Sequence, residues 1–159
     1  MSDWIEEGQR APAFTLAADD GGKARLSDLR GQPVVVYFYP RDDTPGCTRE
    51  ACAFRDARSE LARLGVVVLG VSPDSADSHR KFREKHQLNF PLLADERHAV
   101  AEKYGAWREK NMYGKKTMGI QRSTFLIDAE GRVAKVWKSV RVDGHDEQVL
   151  TAARELLGK

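Results

Sequence analysis

Two apolar runs without polar alternation stand out along the chain. Val34-Val35-Val36-Tyr37-Phe38-Tyr39 and Val66-Val67-Val68-Leu69-Gly70-Val71 have the β-branched and aromatic make-up of strands covered on both faces. Between them, residues from about Cys47 to Leu64 carry apolar positions at helical spacing, and Gly65 supplies the stop. Strand, helix and strand in this order predict a βαβ unit with parallel strands and a right-handed crossover. Ahead of it, Phe14-Thr15-Leu16 and Lys23-Ala24-Arg25-Leu26 flank the turn-rich Asp19-Asp20-Gly21-Gly22, which predicts an N-terminal β-hairpin extension of the sheet. A second helix is predicted from Ser75 to His86, followed by the short apolar Leu92-Leu93 and a brief third helix near Ala99–Tyr104. Ser123–Ile127 and Val133–Trp137 around Asp128-Ala129-Glu130-Gly131 predict another hairpin, and a closing helix covers about Asp146–Leu157.

A parallel unit first, then an antiparallel hairpin and a helix, is the order of an α/β thioredoxin-like fold: a central mixed sheet flanked by helices. No repeat, low-complexity tract or Pro/Ser-rich linker interrupts the 159 residues, so residues 1–159 are expected to form a single domain. The longest apolar run is about six residues, far short of the roughly 20 that span a bilayer. The 26 Lys and Arg nearly balance the 24 Asp and Glu, so no strong net field draws the chain to nucleic acid or to a membrane. The first residues lack the basic start and apolar stretch of a signal peptide, which points to the reducing cytoplasm.

In that compartment the two cysteines, Cys47 and Cys52, are expected to be reactive rather than a structural bridge. Cys47 follows a predicted central strand and opens a helix, where open α/β sheets place their ligand sites. Thr44 is a good N-cap and Pro45 suits the first helical position, so Cys47 falls in the first turn, where free N–H groups and the helix dipole favour a thiolate. On a helical wheel Cys47, Ala51, Phe54 and Leu61 share a stripe facing the sheet. Cys52 lies about 140° away, on the polar face with Thr48, Asp56, Ser59 and Arg63. In an ideal helix their α-carbons stand about 8.6 Å apart, beyond the roughly 7 Å limit for a disulfide. Bonding the two therefore requires the first turns to unwind.

The run Pro40-Arg41-Asp42-Asp43-Thr44-Pro45-Gly46-Cys47 resembles the Pro-x-x-x-Thr-x-x-Cys signature of peroxiredoxins, thiol peroxidases built on the thioredoxin fold. The longer stretch Tyr37 to Cys52, with its second cysteine five positions on, is similar to the Q-type or bacterioferritin comigratory protein branch. Tyr104-Gly105-Ala106-Trp107, Met112-Tyr113-Gly114-Lys115, Arg122-Ser123-Thr124-Phe125-Leu126-Ile127-Asp128 and Gly144-His145 are similar to segments of that branch in the same order. The resemblance implies that Cys47 is the peroxidatic thiolate, that Thr44 orients the hydroperoxide, and that Arg122 keeps Cys47 ionised and steadies the reacting oxygens. It further implies that Pro40 shields the thiolate from water, that Glu50 holds an arginine in place, and that Cys52 resolves the sulfenic acid as an intramolecular disulfide. That disulfide is then reduced by a dithiol, thioredoxin being the expected partner, and the branch expectation is a monomer without a cofactor.

Ionisation explains only part of such a reaction. A free thiol with a pKa of about 8.5 is roughly 3% thiolate at pH 7, so full ionisation gains at most about 30-fold and the rest must come from positioning. The bland readings are a buried apolar Cys47, a passive surface Cys52, a purely capping Thr44, a strand-edge Arg122, and Pro40 and Pro45 as plain turn residues. The competing activity is protein thiol–disulfide exchange, disfavoured because exchange domains of this fold use Cys-x-x-Cys. A non-enzymatic binding module would need both thiols inert. His79, His86, His98 and His145 make no zinc pattern with the cysteines, so no metal is expected. His79 and His86 are expected to be solvated, and His145 to have a surface or capping role. Between Glu102 and Arg122, six cations face two anions; this stretch is expected to be a solvated loop that can bias docking of an acidic reductase.

Overall fold

The computed structural model describes residues 3–159. Its elements are β1 (Thr15–Ala18), β2 (Lys23–Arg25), a 3₁₀ turn (Leu26–Leu29), β3 (Val34–Phe38), α1 (Pro45–Arg63), β4 (Val67–Ser72), α2 (Ala76–His86) and β5 (Leu92–Ala94). There follow α3 (Ala99–Tyr104), β6 (Trp107–Met112), β7 (Lys115–Ile120), β8 (Ser123–Ile127), β9 (Val133–Trp137) and α4 (His145–Leu157). Seven strands make a mixed sheet in the order β2-β1-β5-β4-β3-β8-β9, and β6 and β7 form a separate hairpin. β3, β4 and β5 are parallel, while β8 runs antiparallel to β3. This is the expected mixed sheet flanked by helices, including the N-terminal hairpin β1–β2.

Side chains of a strand alternate between faces, and β3 is buried on both. Val35, Tyr37 and Tyr39 pack with Ala51, Phe54 and Leu61 of α1, Phe82 of α2, and Val149 and Leu150 of α4. Val34, Val36 and Phe38 pack on the other face with Val100, Ala101 and Tyr104 of α3 and with Phe125 of β8. Two cores thus sandwich one sheet, and α1 crosses over β3 on the first of them. Gly70 of β4 stands opposite Tyr37; a Cβ there would come within 2.9 Å of the Tyr37 hydroxyl. The missing side chain lets the Tyr37 ring lie stacked on Phe54, centroids 4.8 Å apart.

Several expectations change. Leu92-Leu93 belongs to a third parallel strand, β5, too short to read as one from its apolar residues alone. The basic stretch is not a loop: Trp107 pairs with Ile120 and, through a regular register, Met112 with Lys115. Tyr113 and Gly114 both have positive φ, 55° and 79°, as a tight hairpin turn requires. Most of β7 is exposed, so no apolar alternation marks it. His79, expected in solvent, is fully buried, because it shares a stripe of α2 with Phe82 three residues on. His86 is half-buried, its Nε2 3.1 Å from Asp43 Oδ1. His145, expected at the surface or as a cap, is also buried. Gly144 occupies the N-cap of α4, and the His145 ring lies between Thr124 Oγ1 at 2.8 Å and Gln148 Oε1 at 3.0 Å. Burial lowers the His145 pKa.

Candidate active site

The site forms where β3 ends and α1 begins. Thr44 is the N-cap of α1 and Pro45 its first residue, so Cys47 lies in the first turn as predicted. Cys47, Ala51, Phe54 and Leu61 are all buried against the sheet, and Cys52 is half-buried on a different stripe. Both thiols are free, and α1 runs unbroken from Pro45 to Arg63.

Arg122 reaches Cys47 because of strand order. Ser123 of β8 is paired with Phe38, the last residue of β3, so the preceding Arg122 emerges at the carboxyl end of β3. Its Nη2 donates to Cys47 Sγ at 3.3 Å, and its Nη1 donates to Glu50 Oε1 at 2.7 Å. The two contacts fix both arms of a rigid fork. Gly46 makes room for it: a Cβ at this position would stand 3.2 Å from Nη2. Glu50 is 1% exposed, and its Oε2 has no hydrogen-bond partner among the described residues. Desolvation pushes Glu50 up to about 7, against the downward pull of Arg122. Burial works against the Arg122 cation, but Glu50 and Cys47 outweigh it and raise the Arg122 pKa.

The other predicted residues stand around this contact rather than in it. Thr44 is half-buried and does not cap α1 through its side chain; its hydroxyl donates to Arg41 O at 3.0 Å. Pro40 is half-buried where the chain leaves β3. Cys52 is separated from Cys47 by more than one helical turn. Sequence reasoning missed Lys110: the β6–β7 hairpin brings it within electrostatic reach of Arg122 and Cys47, and burial and the Arg122 cation lower its pKa. It also missed Asp42, Asp74 and His79, which brace the loop before Thr44. The buried stripe of α2 was the signal that could have found His79.

Comparison with known proteins bears on what this arrangement does. Residues 7–136 match the model of the AhpC/TSA family. Peroxiredoxin Bcp of Bacillus subtilis is 50% identical over 155 residues, covering 98% of this chain and 99% of that protein. The chain is a peroxiredoxin of the AhpC/TSA family. Peroxiredoxin Bcp of Escherichia coli K12 is 45% identical over 151 residues, covering 95% of this peroxiredoxin and 97% of its relative. The solved structure of the Xanthomonas campestris bacterioferritin comigratory protein superposes with a TM-score of 0.90 at 39% identity, covering 95% of this chain and 99% of that one. The fold is thus thioredoxin-like, and this peroxiredoxin is a thiol peroxidase that acts on hydroperoxides at the expense of a thiol reductant. Protein thiol–disulfide exchange is not favoured. Among the described residues no helix is long and apolar enough to cross a membrane.

Proposed function

We propose that this peroxiredoxin reduces hydrogen peroxide and organic hydroperoxides through an atypical two-cysteine cycle within one chain. The observation that carries the reading is the guanidinium of Arg122, locked by Glu50 and donating to Cys47 Sγ at 3.3 Å. The Cys47 thiolate attacks the terminal oxygen of the hydroperoxide in line with the O–O bond. The S–O bond forms, the O–O bond breaks, and the leaving oxygen takes a proton to depart as water or alcohol. Arg122 stabilises charge on the reacting oxygens, Thr44 orients the peroxide, Pro40 limits access of bulk water, and Glu50 holds Arg122. Organic hydroperoxides are included because the Xanthomonas campestris relative is described as having alkyl peroxide reduction activity.

Cys52 then attacks the sulfenic acid, releasing water and forming the Cys47–Cys52 disulfide. An external dithiol, thioredoxin, reduces it by exchange. An ideal helix holds residues five apart at about 8.6 Å, so the beginning of α1 opens in each cycle. With both sulfurs in one chain the cycle needs no second subunit, which supports a single-domain monomer, and a thioredoxin reductant fits the reducing cytoplasm. One equivalent of hydrogen peroxide added to reduced protein should lower its mass by about 2 Da, the two hydrogens lost on condensation. An unchanged mass with both thiols titratable would sink the two-cysteine cycle.

A further inference from the structure

The peptide joining Arg41 to Asp42 is held on both sides. Its carbonyl accepts the Thr44 hydroxyl at 3.0 Å, and its N–H donates to Asp74 Oδ2 at 2.7 Å. Asp74 sits in the turn between β4 and α2, and its Oδ2 also accepts the Ser72 hydroxyl at 2.8 Å. The Asp42 side chain is fixed as tightly. Its Oδ1 accepts the Tyr39 hydroxyl at 2.6 Å, and its Oδ2 meets the Ser78 hydroxyl at 2.8 Å and His79 Nδ1 at 2.7 Å. His79 Nε2 lies 2.8 Å from Leu93 O. Asp42 is 8% exposed and His79 0%.

Oxygen and nitrogen atoms of Asp42, Asp74 and His79 lie within 4.8 Å of one another, a spacing that also suits a metal ion. The hydrogen bonds argue for a different role. Nε2 faces the Leu93 carbonyl and Nδ1 faces Asp42, whose two oxygens also receive the Tyr39 and Ser78 hydroxyls, so both ring nitrogens and both Asp42 oxygens already have protein partners. The three residues form a brace anchoring the loop that precedes Cys47 to β4, β5 and α2.

We propose that Asp74 and the Asp42–His79 pair are positioning residues for Thr44. They fix the plane of the Arg41–Asp42 peptide so that Arg41 O takes the single proton of the Thr44 hydroxyl. Thr44 Oγ1 then presents only lone pairs. A hydroperoxide can donate its O–H to such an acceptor, whereas the attacking thiolate has no proton to give, so the brace selects which atom Thr44 binds and turns the terminal oxygen toward Cys47. The missing side-chain cap agrees with this: an N-cap threonine ordinarily accepts an N–H of the first turn, and here no such bond takes up the Thr44 lone pairs. The inference rests on the reading that Thr44 contacts the peroxide.

The test compares two reactions of Cys47 at one pH, with hydrogen peroxide by stopped flow and with iodoacetamide, which alkylates the same sulfur but needs no oriented O–H. Asp74→Ala should lower the peroxide rate constant about tenfold and leave alkylation within about twofold. Asp74→Asn, whose amide oxygen can still accept the Asp42 N–H, should recover most of the loss. In a Thr44→Val background Asp74→Ala should cause no further loss, since coupled residues are not additive. His79→Gln keeps the donor to Leu93 O but lacks the one to Asp42; it should show the same split between the two reactions and serves if Asp74→Ala does not fold. Equal losses in both reactions, or additive losses in the double variant, would overturn the brace. A full peroxide rate in Thr44→Val would instead refute the role of Thr44 itself, whereas a loss there without one in Asp74→Ala or His79→Gln refutes the brace alone.

Discussion

Replacing Glu50 with Gln should make the protein progressively more stable than its parent as pH rises. An exposed ion-paired carboxylate has a depressed pKa and adds stability at neutral pH. Glu50 has the opposite sign, because burial raises it from the usual 4.5 to about 7 in the folded state. Below pH 4.5 it is protonated whether folded or unfolded and contributes nothing. Between 4.5 and about 7 the unfolded chain releases the proton while the folded chain keeps it, so stability falls with rising pH by up to about 1.4 kcal/mol per unit. Above about 7 both forms are ionised and the penalty levels off near 3 kcal/mol. The glutamine of the Glu50→Gln variant does not titrate, and its carbonyl can still accept from Arg122 Nη1. Its amide takes the place of Oε2, which has no partner among the described residues of the parent, and any misfit there is independent of pH. Urea unfolding of both reduced proteins from pH 4.5 to 8 should therefore show the variant-minus-parent difference growing by about 3 kcal/mol. A flat difference, or one that shrinks, would refute the buried-carboxyl reasoning.

Gly46→Ala should slow the peroxide reaction, because it adds a methyl beside the guanidinium. That methyl crowds Arg122 Nη2 at 3.2 Å while Glu50 holds the other arm, so the peroxide rate should fall roughly fivefold to tenfold; a rate at the parent's level would show that the guanidinium can yield. Cys47→Ser should abolish turnover, as a coupled thioredoxin assay would register. Cys52→Ser should consume one equivalent of peroxide and stop at the sulfenic acid, detectable by dimedone trapping; full turnover would mean that another thiol resolves. In hydrogen exchange, amides of residues 47–53 should be less protected in the disulfide form than in the dithiol form, and equal protection would contradict the opening of α1.

The elements that positioned Cys47 were legible because each followed from a local pattern. The unbroken Val34–Tyr39 run announced a strand buried on two faces, Thr44-Pro45 announced a helix start, and the wheel separated the two sulfurs. The contact between Arg122 and Cys47 joins residues 75 positions apart, and only the antiparallel pairing of β8 with β3 makes it; from sequence it rested on resemblance. The β6–β7 hairpin escaped because exposure on most of β7 removes the alternation that betrays a strand. His79 and His145 were misjudged for different reasons. Charged neighbours suggested solvent for His79 and a place at a helix start suggested a surface or capping role for His145, whereas helix period and sheet contacts decide burial, and hydrogen bonds satisfy both rings where they lie.

In the proposed two-cysteine cycle the nucleophile lies in the first turn of an unbroken helix and its sulfur partner on another stripe, which makes the lifetime of the oxidised sulfur a property of helix fraying. After each turnover the sulfenic acid waits for α1 to open before Cys52 can arrive, and during that wait a second hydroperoxide competes for the same sulfur. Reaction with it gives sulfinic acid, an irreversible loss for most thiols. The stability of three or four residues at the start of α1 thus sets a tolerance threshold: the peroxide concentration at which self-inactivation overtakes repair.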